Sequence, residues 1–159
     1  MTGGVRRLFR LPLALERVAG WHLQRLVTRL TGVEWIVLET VGRRSGRRHE
    51  VVLDVVGGDQ ARGVWYVQPA DGRRAAWVHN VTARPDAVAR VDGRALPVRV
   101  RDASGAEGAE VVLRFIRRHP RYARVIVWFV GYVDRIDRPD AELRQALHAT
   151  PVFAIERRG

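Results

Sequence analysis

The hydrophobic period of the chain changes at Gly32, and that change limits the folds open to it. Before Gly32, Leu8, Leu11, Leu15, Val18, His22, Leu26 and Leu30 recur every three to four residues, the spacing of one helix face. After it, Glu34 to Val41 (EWIVLETV) and His49 to Val56 (HEVVLDVV) are β-branched and partly alternating, which predicts strands. Val64 to Gln68 reads as a third strand. Ala87 to Val91 and Arg94 to Val100 flank Asp92-Gly93, a strong hairpin signal, and Val152 to Glu156 reads as a closing strand. Between them, AAWVHNVTARP predicts a short helix stopped before Pro85, and Ser104 to His119 a longer one, with Ser104 and Glu107 at capping-box spacing. Pro139-Asp140 would open a last helix, and residues 121 to 148 are expected to be helical in part. Five or six strands with short turns predict an α+β, mainly β fold: a small barrel or twisted sheet. Regular βαβ alternation is absent, which argues against a doubly wound fold. A length of 159 residues suits one domain, read as residues 33–159 behind an amphipathic helix over 1–32.

Composition removes several chemistries. No cysteine is present, which excludes disulfides, zinc-thiolate sites and a cysteine nucleophile and fits a reducing interior. The five histidines show no HExxH or comparable ligand spacing, so no metal is expected. Net charge is +11, and all the basic residues are arginine. With abundant Ala, Val and Gly, that pattern resembles GC-rich coding bias, so the clustering of arginine is more informative than the total. No run of about 18 apolar residues occurs, so no spanning helix is expected. The N-terminal apolar stretch is broken by Glu16 and Arg17, without a small-residue cleavage site. A cytoplasmic protein is expected. Residues 6–30 are compatible with packing on the domain or with peripheral contact to an anionic membrane.

Arginine clusters most densely in VGRRSGRRHE, residues 41–50, between the first two strands. Nucleic acid is not the expected partner, because the loop holds no aromatic platform and no zinc-finger, homeodomain or RNP-like pattern occurs. Two readings stand: a solvated turn, or an anion cradle. In the second, Gly42 and Gly46 let the backbone curl, Ser45 adds a hydroxyl, and Arg43, Arg44, Arg47 and Arg48 offer fork-shaped donors for phosphate or carboxylate. Neither a Walker nor a Rossmann glycine pattern is present.

The order strand, GRRSG, strand, AAWVHNVTARP, DG hairpin, helix, HPRY resembles the deazaflavin (F420)-dependent nitroreductase and quinone reductase family. That family runs roughly G-R-[KR]-S-G and then W-x-x-N-[LV]-x-A-x-P. The match spans about residues 33 to 125, with a weaker trace in TPVFAIE. The resemblance implies a split β-barrel, the flavin-reductase-like roll, binding coenzyme F420, a deazaflavin with a phosphate and a polyglutamate tail. Carried over, contacts to the phosphate and tail fall on Arg43, Arg44, Ser45 and Gly46, with Arg48, His49 and Val51 following them. Trp77 and Asn80 would lie near the cofactor; for Trp77 a core aromatic is an equal alternative. His49 stands where the family usually has Arg, so Arg47 or Arg48 substitutes for it or affinity falls. Gln68 to Arg74 replaces the family's Ser-Lys-Gly-Gly, so the floor around the reactive ring is expected to differ, and residues 126–148 are longer than expected. Tyr122 would line the substrate side as proton donor or hydrogen-bond partner, with His119 on the same helical face and His79 and Tyr66 as weaker candidates.

The implied activity is hydride transfer from reduced F420 to a small, apolar, electron-poor acceptor such as a quinone, enone or nitro compound. The alternatives are a split barrel using flavin mononucleotide (FMN) and a redox-inactive ligand-binding member of the family. Split barrels often pair, so a homodimer is a family expectation.

Overall fold

The computed structural model describes residues 28–29, 32–124 and 136–159. Six strands, β1 (Trp35–Val41), β2 (Arg48–Asp59), β3 (Val64–Val67), β4 (Asp86–Val91), β5 (Arg94–Asp102) and β6 (Phe153–Arg157), close into an antiparallel barrel in the order β1-β2-β3-β6-β5-β4. Helix α1 (Ala76–Ala83) lies between β3 and β4, after a 3₁₀ turn over Gly72–Arg74; α2 (Ala106–Arg118) and α3 (Asp140–Leu147) lie between β5 and β6. Residues 120–124 form a further helical segment.

Alternation along the strands sorts side chains into two cores. Ile36, Leu38, Leu53, Val55, Trp65, Val67, Val98, Val100, Phe153 and Ile155 fill the barrel, and Trp77, Val78 and Val81 of α1 join them. On the outside, Val56 and Ala154 pack against Val111, Val112 and Ile116 of α2 and Leu143 and Leu147 of α3. Each fully buried aliphatic side chain contributes about 1.5–3 kcal/mol. Helix α2 seats on Gly57, where an added Cβ would lie 2.5 Å from Val111 Cγ1.

The Asp92-Gly93 turn has both residues at positive φ, 48° and 76°, as a type I′ hairpin requires. The second strand runs past the expected Val56, because a bulge between Val55 and Gly57 lets it continue in a shifted register with β3. The capping box does not form. Gly105 is the N-cap of α2 and no side chain caps it. Ser104 Oγ instead accepts from Val152 N at 3.1 Å and from Arg73, while Glu107 is held by Arg101 and Tyr66. Tertiary partners outcompeted the local motif. The expected helix over 8–31, the proposed membrane contact over 6–30 and the WFVGY segment lie wholly or largely outside the described residues. Among the described residues no helix is long and apolar enough to cross a membrane, and no group of metal-ligating side chains occurs.

Candidate active site

The basic loop is a compact hairpin end. Gly42 N donates to Arg47 O at 2.8 Å, and Gly46 N donates to Gly42 O at 2.8 Å, an α-turn closed by Gly46 at φ 66°. Inside it, Ser45 Oγ accepts from Arg47 N at 3.3 Å and lies 3.5 Å from His49 Nε2. Gly42 is there for space: an added Cβ would fall 2.5 Å from Ser45 Oγ and 2.9 Å from His49 Nε2.

Helix α1 holds the loop from below. Asn80 is 7% exposed; its Nδ2 donates to Thr40 Oγ1 at 3.1 Å and its Oδ1 accepts from Arg43 N at 3.2 Å. Thr40 is also buried, at the loop end of β1. One amide therefore ties helix, strand and loop together. The W-x-x-N spacing follows from this: Trp77 and Asn80, three residues apart, share a helix face. Trp77 is buried and meets Phe153 edge-on, with ring centroids 5.2 Å apart, so it lies in the barrel core.

The arginines of the loop are not equivalent. Arg48 Nη1 contacts Glu39 Oε1 at 2.9 Å, and Arg90 pairs with Glu50 on the same outer face. Arg43, Arg44 and Arg47 are exposed, and no carboxylate among the described residues pairs with them. Three free guanidiniums and a serine hydroxyl around one tight turn suit a ligand carrying several negative oxygens. Arg47 thus belongs with Arg43 and Arg44, and Arg48 stands apart; the facing Glu39 that decides this lies on another strand. Val51 is half-buried against the barrel core.

Tyr122 and His119 lie elsewhere. Tyr122 Oη donates to Asp54 Oδ2 at 2.5 Å. Asp54 stands further along β2, roughly 20 Å from Arg48 at about 3.3 Å per residue. Burial pushes the Asp54 carboxyl up, and its hydrogen bond from Tyr122 pulls the other way. Burial, then the Asp54 charge, pushes the Tyr122 phenol up; the Trp35 side chain, opposite Asp54 across β1 and β2, opposes this. His119 ends α2 in a non-helical conformation, so it and Tyr122 do not share one helix face. Both rings nevertheless pack on Phe115, with centroids 5.0 and 6.0 Å away. Burial and Arg118 lower the His119 pKa. His79 is exposed on α1, and Tyr66 donates to Glu107 at 2.7 Å on the outer face. Sequence reasoning missed Asp54, since a lone acid in an alternating strand carries no signal of its buried partner.

The profile of the F420H(2)-dependent quinone reductase family matches residues 15–129. No curated protein matches the chain. Among solved structures, one described as an F420-H2 dependent reductase (FDR-A) superposes with a TM-score of 0.52 at 22% identity, over 77% of this chain and 93% of that one. A domain-swapped dimer gives 0.51 at 20% identity, over 86% and 97%. A protein of unknown function from Agrobacterium tumefaciens gives 0.52 at 15% identity, over 90% and 57%. These likenesses establish the fold, a split β-barrel, and the family match covers well over half of the chain. The chain belongs to the F420H2-dependent quinone reductase family and is an F420-dependent oxidoreductase.

Proposed function

We propose that the chain reduces a small, apolar, electron-poor acceptor of the quinone, enone or nitro class, and that residues 42–47 hold the phosphate and acidic tail of F420. The observation that carries this reading is the set of three exposed guanidiniums, Arg43, Arg44 and Arg47, without carboxylate partners on a loop clamped by Asn80. Bound reduced F420 supplies a hydride. The chain supplies the rest. Arg43, Arg44 and Arg47 neutralise the anionic oxygens, and Ser45 and Gly46 shape the turn. His49 orients Ser45, Arg48 is neutralised by Glu39, and Val51 and Trp77 support the loop from the barrel side. Tyr122, with His119 beside it on Phe115, lines the acceptor end of β2. With its hydrogen committed to Asp54, Tyr122 positions the acceptor and is a weak acid.

The test is a titration of the full chain with oxidised F420, followed by cofactor fluorescence, beside Arg44→Ala/Ser45→Ala. Saturable binding that is lost in the double variant is expected, together with oxidation of reduced F420 on adding a quinone. Equal binding by both proteins would remove the loop from the site. A cytoplasmic place of action accords with a chain free of cysteine. The domain-swapped dimer among the similar structures motivates a homodimeric reading, which sedimentation velocity decides.

A further inference from the structure

Gln68 Nε2 and Trp65 Nε1 are buried N–H donors without an acceptor among the described residues. Trp65 is 4% exposed inside the barrel, enclosed by hydrocarbon. Gln68 is placed differently. Along β3, Trp65 and Val67 face the barrel and Tyr66 faces outward to Glu107. Continuing that alternation one residue puts Gln68 on the outer face. Val67, the last residue of β3, pairs with Val55; carried one residue further, that register would bring Gln68 beside Asp54, which pairs with Trp35 on β1. Trp35 and Asp54 form a row across β1 and β2 that Gln68, just past the end of β3, would extend, and Tyr122 reaches into that row with its hydroxyl on Asp54.

In this row the Tyr122 hydrogen is already given to Asp54, which leaves the Gln68 amide as the open donor. Burying a donor without a partner is costly, and natural chains retain such groups where a ligand uses them. Asp54 beside it disfavours an anionic ligand oxygen, so the acceptor that fits is a neutral one. We propose that Gln68 is a specificity-determining residue whose side-chain amide donates a hydrogen bond to a conjugated carbonyl oxygen at the Tyr122–Asp54 end of β2. That carbonyl belongs either to the quinone-type acceptor or to the deazaflavin ring. The inference rests on the functional reading above, and its test separates the two.

The full-length chain, without added cofactor, is titrated with 1,4-naphthoquinone and with naphthalene, following quenching of tryptophan fluorescence. Free of cysteine, the chain offers no thiol for the quinone to alkylate. Wild type is compared with Gln68→Leu, and with Gln68→Met in case the branched side chain does not fold. In a second arm both are titrated with oxidised F420. A loss of naphthoquinone affinity of about fivefold or more in the variant, with naphthalene within about twofold, assigns the carbonyl to the substrate. The same loss for F420 alone assigns it to the cofactor. Naphthoquinone and F420 affinities that both stay within about twofold of wild type in the variants overturn the proposal. Absence of F420 binding in wild type, with naphthoquinone affinity still lost in the Gln68 variant, would sink the cofactor reading and leave Gln68 its role.

Discussion

Asn80 is the residue whose loss most directly tests whether loop geometry, and not loop charge alone, makes the anion site. Asn80→Ala removes the donor to Thr40 Oγ1 and the acceptor for Arg43 N, at 3.1 and 3.2 Å. Each hydrogen bond contributes about 1 kcal/mol net, and the partners left behind are buried or half-buried, so the expected loss is about 2–3 kcal/mol. For a chain of this size a kcal/mol corresponds to roughly 2–4 °C, so the melting temperature should fall by about 4–12 °C. The decisive assay adds F420 binding and a matched control. Val81→Ala empties a buried position of the same helix, 4% exposed, without touching the loop, and should cost about 1–3 kcal/mol. Calorimetry of both variants is read beside their F420 dissociation constants. Asn80→Ala should weaken binding by at least about fivefold, as a loop freed from its clamp must be re-ordered by the ligand, while Val81→Ala should leave affinity within about twofold. If the two variants weaken binding equally, the clamp has no special relation to the site; if Asn80→Ala binds as wild type does, the loop does not hold the cofactor.

Three further outcomes are expected. Gly42→Ala places a methyl against Ser45 Oγ and His49 Nε2, side-chain atoms that can rotate away, so melting should change by only a few degrees while F420 affinity drops; an unchanged affinity would detach Ser45 and His49 from the site. Burial raises the Asp54 pKa, so the folded chain keeps that proton to higher pH than the unfolded chain, and the resulting cost is absent below the ordinary aspartate value of about 3.9 and grows as pH rises from there to the folded value. Asp54→Asn should therefore gain stability relative to wild type between about pH 4 and neutrality in urea unfolding, and a difference independent of pH would contradict the burial argument. F420 affinity should fall severalfold between about 0.05 and 0.5 M salt, because the three loop guanidiniums are exposed, and a salt-independent constant would mean that they do not meet the ligand's charge.

The strands and hairpins were legible because their signals are local. Alternation in WIVLETV, Asp92-Gly93 at positive φ and Pro139 before α3 each report geometry set within a few residues. Local signals left a barrel and a twisted sheet both open, and the family resemblance alone pointed to the split barrel, since the β1–β4 and β3–β6 pairings join segments far apart in sequence. The same distinction explains the site. Arg43, Arg44, Ser45 and Asn80 were singled out as candidates through motifs, but that Asn80 clamps the loop depends on a contact across 37 residues, and the Asp54–Tyr122 pair on one across 68. The capping box shows the opposite failure: Ser104 and Glu107 have the right spacing, yet Arg73, Arg101 and Tyr66 reach them first.

Charge is where structure adds most to sequence. An all-arginine basic complement looks alike everywhere in the chain, whether it arises from coding bias or from function. Folding separates the cases by pairing and clustering together, since Arg74, Arg84 and Arg94 are also exposed without a carboxylate partner among the described residues but stand apart from one another along the chain. Arg48, Arg90, Arg99, Arg101, Arg117 and Arg144 each meet a carboxylate on the barrel surface or on the helices. An exposed pair of this kind contributes at most about 1 kcal/mol and serves solubility as much as stability. Arg43, Arg44 and Arg47 have no such partner among the described residues, and they are gathered on one glycine-framed turn that a buried amide holds in place. Self-repulsion among three neighbouring guanidiniums opposes that arrangement in the free chain. An anion bound at the turn would relieve it, so on the proposed reading the rigidity supplied by Asn80 and the charge left unpaired on the loop act together: one would fix the donors, the other would make a multiply charged ligand the group that completes the turn.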